Sequence, residues 1–113
     1  MELAEIEAAL HLDHDATVAQ RDQLRRDLND IIAAAADVAT DDEHDPEGAT
    51  IAYERSRTQA LIERADAHLA DIAAALDKLS AGTYGMCETC GRAISEERLQ
   101  ARPAVKTCID CAR

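Results

Sequence analysis

Residues 87–111 read CETCGRAISEERLQARPAVKTCIDC and contain two Cys-x-x-Cys pairs that are separated by 17 residues. This gap lies within the range of about 15–20 residues expected between the halves of a four-cysteine zinc site. Each Cys-x-x-Cys step lets one tight turn present two thiolates to the same ion, and two such turns complete a tetrahedron. We therefore predict one structural Zn²⁺ with four thiolate ligands: Cys87, Cys90, Cys108 and Cys111.

The same cysteines could form redox-active pairs or hold an iron centre, because iron also accepts four thiolates. A redox pair is normally set at the start of a helix in an alternation of strands and helices, which this sequence does not offer. In a four-thiolate zinc site no coordination position remains for water or substrate. Since no nucleophile and base can be paired either, we do not expect an enzyme.

Several residues around this module predict where helices begin and end. Gly82 follows a run of apolar positions and predicts the end of a helix, since glycine adopts the left-handed conformation at helix ends. Ser95, followed by two glutamates, predicts the start of a short helix. Pro103 predicts that this helix ends at about Ala101 or Arg102.

Upstream of the cysteines, two segments carry apolar residues at the alternating steps of three and four that are typical of coiled coils. The later stripe comprises Ile62, Ala65, Leu69, Ile72, Leu76 and Leu79. The earlier stripe comprises Leu24, Leu28, Ile31, Ala35 and Val38, with a looser extension at Leu3, Ile6 and Leu10. Pro46 and Gly48 predict a turn between the two, and a short turn favours an antiparallel hairpin.

Composition agrees with an extended helical protein. Phe and Trp are absent and only two tyrosines occur, so the chain lacks the large side chains that fill a compact core. The expected fold is all-α, with a long antiparallel coiled-coil hairpin over residues 1–82 and a small C-terminal four-cysteine zinc-finger module over residues 83–113. An intramolecular hairpin of this kind is expected to be monomeric.

Charge and hydropathy restrict the partners. The net charge of −11 argues against an electrostatic grip on nucleic acid, because phosphate contacts need lysine and arginine. The chain has no long apolar run and no basic start typical of a signal peptide. We therefore expect a cytoplasmic chain that binds a protein and does not bind a membrane.

An acidic segment lies at the predicted tip of the hairpin, at about residues 37–49. Six acids occur here without a Lys or Arg: Asp37, Asp41, Asp42, Glu43, Asp45 and Glu47. Such a run is either a solvated loop or a probe that reaches a basic or metal-containing pocket on a partner. The residue pattern alone leaves both interpretations open.

The chain resembles the DksA/TraR family of bacterial transcription regulators with a C4-type zinc finger, as a short member. The resemblance rests on the segment GTYGMCETCGRAI from Gly82, on RLQARP from Arg98 and on Cys108-Ile-Asp-Cys111. It implies a coiled-coil hairpin that is inserted into the secondary channel of RNA polymerase, without direct binding of promoter DNA. It would give the acidic segment a target, since that channel leads to a catalytic magnesium ion.

The family resemblance also implies functional residues at the tip, where an aspartate precedes an alanine by two positions. Aligning the dipeptide Asp45-Pro46 puts Glu47 and Ala49 at these places, with glutamate replacing aspartate. A rival alignment uses Asp41 or Asp42. The partner-binding residues predicted at the tip are therefore Asp41, Asp42, Asp45, Glu47 and Ala49.

Two other functions remain possible from the sequence. One is a zinc ribbon that binds nucleic acid, since the cysteine module is mildly basic. The other is an interaction module that dimerises through its heptads. Whether transcription would be activated or repressed is not encoded in any of these patterns.

Overall fold

The computed structural model describes residues 2–38 and 46–112. Three helices occur in this part of the chain: α1 (Leu3–Val38), α2 (Pro46–Ala81) and α3 (Glu96–Ala101). Within the same ranges no strand forms, and only an isolated antiparallel bridge joins Met86 to Ala93. The two long helices pack together, which confirms the predicted all-α hairpin with a C-terminal cysteine module.

The helix ends follow the local chemistry of the chain. At the end of α2, Gly82 has φ of +75°, the Thr83 N–H donates to the Lys78 carbonyl at 2.9 Å, and the Gly82 N–H donates to the Leu79 carbonyl. These two hydrogen bonds together form a Schellman motif, which confirms the helix end predicted from Gly82.

The start of α2 differs from the expectation. The helix begins at Pro46, so Gly48 lies in its first turn and not in the connecting turn. Proline is favoured at the first helical position because its missing N–H has no intrahelical acceptor there and its φ already suits a helix. The predicted turn included Pro46 and Gly48, whereas both residues belong to α2.

One compact unit comprises residues Val18–Asp66. Ala65 of the later stripe is buried, and the described residues of the earlier stripe are half-buried. Thr58, which lies seven residues before Ala65, is buried as well. Arg21 links the helices across this unit, since its guanidinium lies 3.5 Å from the Asp66 carboxylate. Alanine and threonine are thus the residue types at the most fully buried positions described in this unit.

The second compact unit combines residues 1–17 with residues 67–113. Its main core consists of Ile6, Leu10, Ile72 and Ala75, with Leu10 1% and Ile72 0% exposed. Ile6 and Leu10 were expected only as a loose extension of the earlier stripe, yet they belong to the best-buried positions. The reason is that Tyr84 and Ala104 from the cysteine module also cover this cluster.

A polar contact between Asp13 of α1 and His68 of α2 joins the two helices in this unit as well. The Asp13 carboxylate accepts a hydrogen bond from Thr17 at 3.1 Å and lies 2.7 Å from Nε2 of His68. The division of the chain into a hairpin over residues 1–82 and a zinc finger over residues 83–113 stays a prediction. None of the described helices combines the length and the apolar character needed to cross a membrane.

Candidate metal centre

The first cysteine pair lies on a tight turn closed by backbone hydrogen bonds. The Cys87 N–H donates to the Arg92 carbonyl at 2.8 Å, and the Gly91 N–H donates to the Cys87 carbonyl at 3.0 Å. Gly91 has φ of +75°, a conformation that L-amino acids with a side chain rarely adopt. The turn thus directs Cys87 and Cys90 to the same side.

The second pair lies on a turn of different construction. The N–H groups of Cys111 and Ala112 both donate to the Cys108 carbonyl, at 3.1 and 3.0 Å. Ala112 occupies the place that glycine has after the first pair, and no non-glycine residue in the described chain has positive φ. The Glu88 N–H donates to the Lys106 carbonyl at 2.9 Å and so connects the two turns.

The four sulfur atoms are placed as zinc requires. All lie within 4.8 Å of one another, and Sγ of Cys90 is 3.8 Å from Sγ of Cys108. A tetrahedron with Zn–S bonds of about 2.3 Å has edges of about 3.8 Å, so these donors can surround one ion. The thiolate set and its geometry support one structural zinc ion, as the cysteine spacing predicted.

Backbone hydrogen bonds favour the thiolate form of Cys87 and Cys90. Hydrogen bonds from the backbone, first from Cys108 and then from Cys90, lower the pKa of Cys87 to about 6. A backbone hydrogen bond from Arg92 also lowers the pKa of Cys90. A side-chain hydrogen bond with Cys108 raises the pKa of Cys111 to about 12, so this thiol holds its proton more tightly than a free cysteine does. Zinc binding displaces such protons, since the metal ligand is the thiolate.

A small core supports the metal centre. It consists of Cys87, Ile94 and Leu99, with Tyr84 and Val105 packed against it. The helix that supplies Leu99 is capped by Ser95, whose Oγ accepts a hydrogen bond from the Arg98 N–H at 3.2 Å. This cap and the end of α3 at Ala101 confirm the short helix predicted from Ser95 and Pro103.

Two ion pairs attach the cysteine module to α2. Nζ of Lys78 lies 2.9 Å from the Glu88 carboxylate, and Nζ of Lys106 lies 3.1 Å from the Asp71 carboxylate. The bond to Asp71 raises the pKa of Lys106. Lys78 lies in the last turn of α2. No local spacing indicates its partner ten residues further along the chain.

The predicted tip residues have different outcomes. Asp41, Asp42 and Asp45 lie outside the described residues. Glu47 belongs to the first turn of α2, and Ala49 is exposed in the same helix. The structure brings the four cysteines together, whereas the roles assigned to the tip residues stay predictions.

Comparison with known proteins places the cysteine module in a described group. Residues 82–113 match the sequence profile of the prokaryotic dksA/traR C4-type zinc finger. The chain is 42% identical over 66 residues to the uncharacterised protein YteA of Bacillus subtilis, which covers 58% of this chain and 28% of YteA. It is 48% identical over 40 residues to the RNA polymerase-binding transcription factor DksA of Haemophilus influenzae, covering 35% of this chain and 28% of that protein.

The fold likeness extends further than these sequence matches. The structure of the transcription factor DksA2 from Pseudomonas aeruginosa aligns with a TM-score of 0.51 and 27% identity, covering 97% of this chain and 85% of that one. The chain spans less than a third of the length of the two curated relatives described above. The sequence likeness is therefore concentrated in part of the chain, whereas the fold likeness covers nearly all of it.

Proposed function

We propose that this chain, whose residues 82–113 match the dksA/traR C4-type zinc finger, is a transcription regulator that binds RNA polymerase. The observation that carries the proposal is the four-cysteine module joined to two long helices, an arrangement that aligns with a transcription factor over 97% of this chain. A relative that shares the module is itself named for binding RNA polymerase.

In the proposed mechanism the acidic segment enters the secondary channel of the polymerase. Carboxylates from Asp41, Asp42, Asp45 and Glu47 approach the catalytic magnesium ion and alter initiation, with Ala49 at the adjoining surface. The chain acts as a monomer in the cytoplasm and does not read DNA sequence. It contributes binding energy and negative charge, and it catalyses no reaction.

The zinc module has a supporting part in this proposal. A four-thiolate site is closed to substrates, so its contribution is to hold the chain around it in one conformation. The ion pairs Lys78–Glu88 and Lys106–Asp71 connect the module to α2, so the conformation held by zinc also restrains this end of the helix. The module thereby also offers the polymerase a defined docking surface.

The proposal is tested with purified RNA polymerase from the source organism. Binding is measured with a fluorescently labelled chain, and promoter output is measured by transcription in vitro. The variant Asp45→Asn with Glu47→Gln is expected to lose the effect on transcription, because the carboxylates that act near the metal are removed. The matched control is Glu63→Gln with Asp77→Asn, which removes two exposed acids elsewhere on α2.

Two results would count against the proposal in different ways. If the unaltered chain shows no saturable binding to polymerase, the proposed partner is wrong. If binding occurs but both double variants affect transcription equally, the partner stands and the assignment of the tip residues is wrong.

A further inference from the structure

An exposed face of α2 carries an unusual combination of side chains. We call it the arginine face and define it by Tyr53, Arg57, Ala60 and Arg64, all of which are exposed. These positions follow each other at steps of four, three and four, which keeps them within about 40° of one line along a helix. Tyr53 is 69% exposed, so a large aromatic side chain stands in solvent at one end of the face.

The two arginines of this face have no partner within the described chain. Neither Arg57 nor Arg64 takes part in an ion pair or a side-chain hydrogen bond among the residues that the structure describes. Arg21, in the same compact unit, contacts the carboxylates of both Asp22 and Asp66. In a chain with a net charge of −11, two guanidinium groups on one line are thus left available for another molecule.

The residue types point to the chemistry of that molecule. Residues 18–66 contain six arginines and no lysine. A guanidinium group presents a planar fork of donors that matches a carboxylate in two parallel hydrogen bonds, which an ammonium group cannot do. Arginine and tyrosine are also enriched among the residues that dominate binding energy at protein interfaces.

Nucleic acid is a poorer match for the arginine face than an acidic protein. Phosphate binding gains its energy by counterion release from many cationic contacts, and this face offers two. Exposed acids flank it on the same helix, at Glu54 and Glu63, and would repel a continuous phosphate backbone. Discrete carboxylates on a protein surface can be paired with Arg57 and Arg64 without approaching these acids.

We infer that the arginine face docks against an acidic protein surface, with guanidinium–carboxylate pairs at Arg57 and Arg64 and with Tyr53 packed at the edge. The inference rests on the proposed function, which makes RNA polymerase the partner. The contact is distinct from the acidic tip, because it has the opposite charge and begins at Tyr53, further along α2 than the tip residues Glu47 and Ala49. It orients the chain on the polymerase surface while the tip supplies the effect on initiation.

The test compares charge reversals at equal net charge. Binding to purified RNA polymerase is measured for R57E/R64E and for the control R25E/R26E, which reverses two exposed arginines of α1 in the same compact unit. The first variant is expected to bind about tenfold more weakly or worse, and the control within about twofold of the unaltered chain. The variant R57K/R64K keeps the charge but loses the fork geometry, so we expect an intermediate loss. Far-UV circular dichroism verifies that each variant keeps its helices.

Each alternative result overturns the inference and identifies the reason. If R57E/R64E binds polymerase as well as the unaltered chain and still affects transcription, the arginine face does not contribute to binding, and the proposed function is unaffected. Equal losses in both double variants show a general charge effect. Duplex DNA binding is measured for the same variants. If R57E/R64E loses DNA binding but keeps polymerase binding, the arginine face binds nucleic acid and not an acidic protein. No polymerase binding by the unaltered chain refutes the proposed function and the inference together.

Discussion

At the scale of single residues, Tyr84 connects two parts of the molecule that are built differently. Its ring packs against the cluster around Leu10 and Ile72 and also against the cluster around Leu99. Its hydroxyl donates to the Pro103 carbonyl at 2.9 Å, and burial raises its pKa. One side chain therefore contributes both apolar contact and a hydrogen bond where the cysteine module meets the long helices.

Substitutions at Tyr84 separate these two contributions. Tyr84→Phe removes the hydrogen bond alone and is expected to lower the free energy of unfolding by about 1 kcal/mol. Tyr84→Ala also removes the ring and is expected to cost about 2–3 kcal/mol. Urea unfolding, followed by circular dichroism at a fixed zinc concentration, measures both changes.

Tyr53 provides the control for the Tyr84 substitutions because it is the other tyrosine and is exposed. Tyr53→Ala is expected to change the free energy of unfolding by less than about 0.5 kcal/mol. Equal losses at the two tyrosines would contradict the connecting role of Tyr84.

At the scale of elements, the long helices and the cysteine module depend on different forces. Each of α1 and α2 runs for 36 residues and satisfies its backbone internally, with an apolar stripe to bury. The module has only a six-residue helix, and its own cluster contains just three buried residues within the described chain. Metal ligation must therefore supply the free energy that so small an apolar core cannot provide.

Removal of zinc is expected to unfold residues 83–113 while residues 18–66 keep their helices. Far-UV circular dichroism should fall only slightly, because α3 is short in comparison with α1 and α2. Hydrogen exchange followed by mass spectrometry should show faster exchange in peptides from the module and unchanged exchange in peptides from Val18–Asp66. A chelator that is preloaded with zinc is the control, and an unchanged module after verified zinc loss would show the expectation to be wrong.

At the scale of the whole molecule, the N-terminal segment of the chain packs with its C-terminal part. Residues 1–17 share a compact unit with residues 67–113, although more than 45 residues separate the two segments along the chain. Ile6 and Leu10 supply half of the buried cluster there, and Ile72 and Ala75 supply the rest. The N-terminal turns of α1 are therefore part of the support of the zinc module.

Two leucines that are neighbours in sequence test this long-range contact. Leu10→Ala is expected to lower the free energy of unfolding by about 3 kcal/mol, because Leu10 is 1% exposed and its removal leaves a cavity beside Ile72. Leu12→Ala changes the same side chain at a position that is 73% exposed, so we expect a loss below about 0.5 kcal/mol. Urea unfolding midpoints measure the difference, and similar values for the two variants would exclude the proposed support.

The features that the sequence predicts correctly depend on short-range chemistry. The cysteine spacing indicates the zinc site because two turns of backbone are enough to bring four sulfurs together. Gly82 and Ser95 indicate helix ends because the groups they satisfy lie within a few residues. The heptad pattern indicates which face of each long helix is apolar, and Ala65 and Ile72 are buried accordingly.

Only the tertiary structure decides which apolar and charged groups meet. Periodicity shows that Ile6 and Leu10 can face a partner, but it does not name Ile72, since any apolar surface would satisfy the pattern. The pairs Asp13–His68 and Lys106–Asp71 join residues that no local spacing relates. By itself, the sequence determined the metal ligands and the helices, because backbone hydrogen bonding and coordination are local. The packing of the first turns against the zinc module was decided in three dimensions, because hydrophobic burial is non-directional and selects its partners only when the chain is assembled.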